Sequence, residues 1–127
     1  MVVVDEALPP GKAANAAAVI AMTLGTKVPA MIGEDFVDGL GGVHAGLFRE
    51  GLPVLKAPSS ELTLLRARAV AADVGVVGMP VNGHQTNDYE AFVEMVGSSA
   101  SVSYLGLALY GPARVVRSLT GSLALLR

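Results

Sequence analysis

The stretch that decides the fold is MVVVDEALPPGKAANAAAVIAMTLG, residues Met1–Gly25. Its apolar run Val2–Asp5 predicts a short strand that is buried on both faces. A tight turn follows, and the run of small residues Ala13–Leu24 predicts a helix that Gly25 closes. A strand, a turn and a helix in this order form the opening unit of an α/β domain.

The remainder of the chain continues to alternate between strand and helix patterns. The predicted elements are strands at Val54–Ala57, Gly75–Pro80 and Tyr104–Tyr110, and helices at Glu61–Ala72, Asn87–Val96 and Ala113–Leu119. In the less regular part between them, Asp35–Asp38 predicts a minor strand or an edge hairpin, and Gly39–Gly46 predicts flexible turns that leave His44 exposed. We therefore expect a single α/β domain over residues 1–127, with helices on both faces of a largely parallel or mixed sheet.

The chain is apolar for its size. Of its 127 residues 52% are hydrophobic and only 16% are charged, and the mean hydropathy is +0.54. A small domain with so little polar surface is expected to cover apolar area by association, so we predict a homodimer. The absence of cysteine excludes disulfides and cysteine-based zinc sites. Because no secretion signal is seen, the expected location is the cytoplasm.

Charge and motif content exclude several classes of partner. The net charge is -2 and the nine basic residues are scattered, so nucleic acid is not expected. The predicted helix Ala13–Leu24 is shorter than the roughly 20 apolar residues of a membrane span. The run Gly39–Gly46 fits neither nucleotide-binding glycine motif, so no cofactor is expected. His44 and His84 lie far apart in the sequence and predict no metal site.

The polar segment 82–87 follows a predicted strand and is the best candidate for chemistry. It carries an imidazole, an amide and a hydroxyl in succession, on His84, Gln85 and Thr86. A histidine titrates near neutral pH, so His84 could act as a general base. The alternative is an ordinary turn that caps the next helix through Asn87.

The turn before the first predicted helix is a second candidate. Its Pro9–Lys12 stretch could bind an anion or a carbonyl at the helix N-terminus, with Lys12 as the charged partner. The alternative is a tight connection with a solvated lysine. If the turn and the polar segment lie close together, we expect a small polar or anionic ligand to be bound by Lys12, Asn15 and the stretch His84–Thr86.

Five motifs spread over the chain carry a family resemblance. They are Pro9–Gly11, Ala14–Ala16, Val54–Ala57, Leu105–Pro112 and Leu119–Leu123. In these motifs the chain resembles the bacterial proteins grouped as domain of unknown function 2000, which in turn resemble type II peptidyl-tRNA hydrolases in fold. The resemblance implies a three-layer α/β/α sandwich on a small mixed sheet of about four strands, in proteins that are often dimeric.

The same resemblance implies that the hydrolase activity is not retained. Such hydrolases carry a histidine on the first helix, where this chain has Ala18 or Val19, and an acid in the later loop, where it has Val81. We therefore expect a small-ligand-binding or regulatory domain without the parent activity. The alternative is a hydrolase of acyl or peptidyl esters, with His84 as the base and Lys12 stabilising an oxyanion. A third hypothesis is a structural interaction module.

Overall fold

The computed structural model describes the whole chain, residues 1–127, as seven strands and four helices. The strands are β1 (Val2–Asp5), β2 (Phe36–Val37), β3 (Val43–His44), β4 (Val54–Ala57), β5 (Gly75–Pro80), β6 (Tyr104–Tyr110) and β7 (Ala124–Leu125). The helices are α1 (Pro10–Lys27), α2 (Ser59–Ala71), α3 (Tyr89–Gly97) and α4 (Ala113–Thr120). None of the helices combines the length and the apolar composition needed to cross a membrane.

Five strands form one mixed sheet in the order β5-β6-β1-β4-β7. β1 runs parallel to β4 and antiparallel to β6, while β5 and β7 pair antiparallel with β6 and β4. The expected α/β fold with a mixed sheet is confirmed. The expected number of about four strands is corrected to five, because the two-residue strand β7 adds an edge beside β4.

The central strand β1 contributes to two separate buried clusters. Val3 packs in one cluster with Leu65 of α2 and Val116 of α4. Val4 packs in the other with Ile20 of α1. Because side chains alternate along a strand, the two clusters lie on opposite sides of β1. The continuous apolar run of β1 therefore reflects burial on both faces, as predicted.

Small residues let α1 lie close to strand β6. Ala13 and Ala16 are buried on the helix, and Gly106 faces it from the sheet. A Cβ atom added at Gly106 would lie 2.9 Å from Cδ1 of Ile20 and 3.0 Å from the carbonyl oxygen of Val3. Because neither neighbour has much room to move, a larger residue at position 106 would force the helix and the sheet apart.

Two glycines of β5 lie beneath tyrosine rings of β6. Gly75 pairs directly with Tyr110, and a Cβ atom added at Gly75 would overlap the tyrosine ring. A Cβ atom at Gly78 would lie 2.9 Å from Cε1 of Tyr104. The other side of β5 is an open edge of the sheet. The two rings therefore pack onto bare backbone along this edge strand.

The predicted end of α1 at Gly25 is wrong. The helix continues to Lys27, and the N–H of Val28 still donates to the carbonyl oxygen of Leu24. The residue before a proline is disfavoured in the helical conformation, and Val28 precedes Pro29 and has φ -133° and ψ 64°. The helix is therefore ended by Pro29, while the glycine lies inside its last turn.

The cap of α3 is Asp88, and the prediction of Asn87 is wrong. Oδ1 of Asp88 accepts hydrogen bonds from the N–H groups of Glu90 at 2.9 Å and Ala91 at 3.1 Å. Asparagine and aspartate cap helices about equally well, so residue type alone does not choose between adjacent positions. Asp88 has the extended backbone that a cap requires, so the helix begins one residue later than expected.

Residues 33–47, which we call the arm, form a two-stranded ribbon separate from the five-stranded sheet. Strand β2 lies within the run Asp35–Asp38 that predicted a minor strand or an edge hairpin, and it pairs with β3 away from the edge of the main sheet. At the root of the ribbon the N–H of Gly33 donates to the carbonyl oxygen of Leu47 at 2.8 Å. Every residue of the arm is exposed except Gly33 and Gly46, where its two halves meet.

The prediction of flexible turns at Gly39–Gly46 is wrong in part, because Asp38 organises this end of the arm. Its carboxylate accepts hydrogen bonds from the N–H groups of Leu40 and Gly42 and, at 2.7 Å, from Nε2 of His44. These hydrogen bonds hold the pKa of Asp38 below its usual value. The bond from His44 has the largest effect on the pKa, and the bonds from the two N–H groups have smaller effects. His44 is exposed, as predicted, and stacks on Phe36 with ring centroids 5.1 Å apart.

Candidate functional site

The carboxyl ends of β1, β4 and β5 meet at one edge of the sheet. β1 and β4 are parallel, and β5 shares their direction because β1 and β5 are both antiparallel to β6. The turn into α1 follows β1, and a 3₁₀ turn at Val81–His84 follows β5. Open α/β sheets usually bind ligands at this edge, because the connecting turns place side chains there.

Asn15 of α1 and His84 meet at this edge, although they are 69 residues apart in the sequence. Nε2 of His84 lies 3.4 Å from Oδ1 of Asn15, which is long for a hydrogen bond. Since an amide oxygen only accepts, Nε2 of His84 is the donor in this contact. Both side chains are exposed, so the imidazole is accessible to a ligand.

The rest of the polar segment builds the turn into α3. Oγ1 of Thr86 accepts a hydrogen bond from the N–H of Asp88 at 3.0 Å. Oε1 of Gln85 accepts one from Nδ2 of Asn82 at 3.3 Å. Gln85 and Thr86 therefore make contacts within the turn that precedes the cap Asp88, while His84 alone of these side chains reaches across to α1.

A cleft of about 390 Å³ opens beside Asn15, between α1, β5 and the segment that leads into α3. Small-molecule sites occupy about 300–1,000 Å³ and combine an apolar wall with a few polar groups, which this cleft also does. The lining residues are Asn15, Val19, Ile20, Thr23, Val77, Gly78, Met79, Pro80, Gly83, Thr86, Asn87, Asp88, Tyr89 and Phe92. The cleft is therefore large enough for a small ligand.

Two parts of the cleft wall were missed in the sequence. Val19 and Thr23 follow the predicted residue Asn15 at intervals of four residues, so they share its face of α1. On the other side, Tyr89 and Phe92 of α3 have ring centroids 5.8 Å apart. The sequence signal for this wall was the helical spacing on α1. Val19 lies between the polar residues Asn15 and Thr23 on one helix face, so this face does not continue the buried apolar stripe of the helix.

The predicted residues Lys12, His84 and Gln85 lie outside the cleft lining, whereas Asn15 and Thr86 are part of it, and His84 is placed beside the cleft by its contact with Asn15. Lys12 is exposed on the first turn of α1, one turn before Asn15. The one charged residue of the lining is Asp88, so the interior of the cleft does not favour an anion. No group of three or more His, Asp or Glu side chains comes together in a way that could hold a metal ion.

The chain is similar to proteins of unknown function over its whole length, and none of the curated proteins matches it. One solved structure that it resembles is the protein of unknown function Atu0240 from Agrobacterium tumefaciens strain C58. The two chains are 19% identical, the match covers 99% of this chain and 95% of that one, and the TM-score is 0.92. At this identity the likeness shows the fold alone. The family described as protein of unknown function (DUF2000) matches residues 1–127, and the chain belongs to that family.

Proposed function

We propose that this protein is a small-ligand-binding or regulatory domain whose site is the cleft beside Asn15. The proposal rests on the contact between Asn15 and His84, which places an accessible imidazole beside a cleft of about 390 Å³. The proposal includes a bacterial origin, a cytoplasmic location and a homodimeric state. It also includes a three-layer α/β/α sandwich of the type II peptidyl-tRNA hydrolase kind, without the parent activity.

The chemistry of the cleft defines the class of ligand. Val19, Val77 and Phe92 offer apolar surface, and Asn15 and Thr86 offer hydrogen-bonding groups. Since the carboxylate in the lining repels anions, the group held inside the cleft is polar and not anionic. An anionic group on the same ligand would be bound outside the lining, near the helix N-terminus of α1. The ligand is thus a small amphiphilic molecule whose polar end inside the cleft carries no negative charge.

The residue at position 81 supports the loss of the parent activity. Val81 stands where the resemblance implies an acid, and it packs against the buried cluster that contains α1. An aliphatic side chain cannot transfer a proton, so this position cannot supply a general base. The contact of His84 is with the amide of Asn15, and an amide orients an imidazole without adding negative charge.

Binding can be tested with an amphiphilic fragment library, read by NMR chemical shifts and by native mass spectrometry of the purified protein. We expect hits to shift the signals of Val19, Thr23 and Phe92, and to bind at least about tenfold more weakly after His84→Ala or Asn15→Ala. The matched control is His44→Ala, which removes the other histidine of the chain, far from the cleft. Binding that survives both cleft variants, or shifts confined to other surfaces, would refute the proposal.

The second candidate function is hydrolysis of an acyl or peptidyl ester, which the exposed imidazole of His84 favours. In this reaction the imidazole takes a proton from water while the water oxygen attacks the ester carbonyl carbon. The ester C–O bond then breaks, and the imidazole returns the proton to the oxygen of the leaving alcohol. The carbonyl oxygen would be stabilised by Lys12 or by the first N–H groups of α1, whose cap residue offers no side-chain hydrogen bond.

Turnover of p-nitrophenyl esters and of peptidyl-tRNA distinguishes the two functions. The binding proposal predicts the same background rate for the wild type, His84→Ala and Lys12→Ala. Hydrolysis by this site predicts a wild-type rate that falls about 100-fold or more in His84→Ala, because a general base contributes roughly that factor. The His44→Ala variant again serves as the control.

A further inference from the structure

The arm exposes apolar side chains on one of its two faces. Phe36 and His44 are cross-strand partners whose rings stack, so on the face that they share each ring covers part of the other. Val37 and Val43 are the other pair, and because side chains alternate along a strand they project from the opposite face. They are 65% and 73% exposed. This second face is thus apolar and uncovered.

The tip of the arm is also without a partner in its own chain. Leu40 lies in the turn between β2 and β3 and is 99% exposed, so the arm does not fold back onto the domain. An isolated two-stranded ribbon is marginally stable in water and is normally packed against further structure. The extended halves of the arm reach roughly 25 Å, at about 3.3 Å per residue, which is far enough to contact another molecule.

The same chain carries an apolar groove at the root of the arm. The groove has a volume of about 470 Å³ and lies between the end of α1, the segment around Phe48 and the start of α4. Ten of its 15 lining residues are hydrophobic, among them Met31, Phe48, Leu52 and Ala113. It is separate from the cleft beside Asn15, since no residue lines both.

We infer that two copies of the chain exchange their arms: the apolar face of each arm, with Leu40 at its tip, docks in the groove of the other copy. The inference specifies the surface of the homodimer included in the proposed function and is independent of the cleft. Because each copy carries both an arm and a groove, one two-fold axis forms two equivalent contacts.

The size of the two surfaces suits a stable dimer. The arm has 15 residues, and the groove is lined by 15 others. Together they match the roughly 20–30 residues that each partner contributes to a standard interface. The charged residues of the groove lining are Glu50 and Arg117, which offset each other, so the docking is chiefly apolar.

Sedimentation equilibrium of the full chain tests the inference. We expect a wild-type dimer at micromolar concentration, and a dissociation constant about 30-fold or more higher for Leu40→Asp and for Val43→Asp. The matched control is Leu64→Asp on α2, where the leucine is 58% exposed and should leave the dimer unchanged. Because the arm residues have no packing within the chain, their variants should keep the wild-type circular dichroism.

A variant of the groove makes the test specific. Ala113 is exposed at the first position of α4, where a glutamate is favoured by the helix dipole, so Ala113→Glu should fold and place a charge in the groove. It should weaken the dimer as much as the arm variants do. In a dimer of one Leu40→Asp chain and one Ala113→Glu chain, the unchanged arm of the second chain meets the unchanged groove of the first. The mixed dimer therefore keeps one intact contact and should form more tightly than the dimer of either variant alone.

Three outcomes overturn the inference. The first outcome is that the wild type and all the arm variants are equally dimeric. The protein would then be a homodimer whose interface lies outside the arm. The second outcome is that the arm variants dissociate the dimer but Ala113→Glu does not, and that the mixed chains bind no more tightly than the single variants. This outcome would show that the arm does not dock in the groove. A monomeric wild type would refute both the arm exchange and the homodimer, without bearing on ligand binding in the cleft.

Discussion

Strand β6 in the sheet and the strands of the arm all form antiparallel pairs, yet they differ completely in burial. In β6 the first six residues are buried, whereas the strands of the arm are exposed throughout. The strands of the centre are held by packing against helices on both sides. The arm keeps its shape through a turn that Asp38 organises and through one ring stack. Burial within the chain thus specifies the domain, while turn chemistry specifies the exposed arm.

The largest expected effect comes from truncating a leucine in each region. Leu65 is fully buried between α2 and the sheet, so Leu65→Ala should lower the free energy of unfolding by about 2–5 kcal/mol. Leu40→Ala in the arm should change it by less than about 0.5 kcal/mol. Urea denaturation at concentrations where the protein is monomeric measures both. Similar losses for the two variants would show that the arm packs on its own domain in solution.

A pair of glycine variants gives the next largest contrast. Gly106→Val places a side chain against Ile20 and the backbone of Val3, and should destabilise the domain by about 1–3 kcal/mol. Gly39 in the arm has open space around the position of its Cβ, so Gly39→Val should leave the melting temperature nearly unchanged. Thermal unfolding followed by circular dichroism compares the two. A tolerated valine at position 106 would contradict the close approach of α1.

Helix α3 is intermediate between the two regions, because it has a cap but no fully buried residue. Removing the cap with Asp88→Ala should cost about 1 kcal/mol. Asn87→Ala should cost much less, since the side chain of Asn87 does not cap the helix. Hydrogen exchange of the first turn of α3 measures the local loss. Equal effects of the two variants would show that the two residues share the capping role.

The smallest effect is confined to the arm and depends on pH. The folded-state pKa of Asp38 lies below the ordinary value of 3.8, so the bonds to its carboxylate stabilise the arm fully above that value. As the pH falls through the folded pKa, this stabilisation is lost while the sheet remains intact. The amide exchange of Leu40 and Gly42 should therefore speed up in acid beyond its intrinsic pH dependence. In Asp38→Asn this additional change should be absent, and its persistence would contradict the role of the carboxylate.

The strands of the sheet could be predicted closely because local signals bound them. β4, β5 and β6 occupy the predicted residues, since each is an apolar run that ends at a proline or a glycine. The end of α1 was misplaced because Pro29 acts through the residue before it, whereas Gly25 fits within a helix. The strand β7 has only two residues and depends on pairing with β4, which no local pattern reveals.

The candidate site was predictable only in part, because its geometry is set by tertiary contacts. His84 was singled out by residue type and by its place after a strand, Asn15 was predicted beside it from the first helix, and the two residues do meet. The aromatic wall of the cleft depends on how α3 returns towards α1, and the spacing of Tyr89 and Phe92 does not specify that path. The order in the arm comes from the contact of Asp38 with His44, which a glycine-rich sequence conceals.

The glycines beneath the tyrosine rings have a consequence for strand register. A two-residue slip of β5 along β6 keeps every side chain on its own face, so facial patterning alone does not forbid it. Such a slip would bring Val77 opposite Tyr110 in place of Gly75, and the valine would occupy the space of the ring. The ring of Tyr110 therefore opposes this slip of the edge strand. Because β5 leads into the turn that carries His84, the same alignment also determines where along the sheet that turn begins.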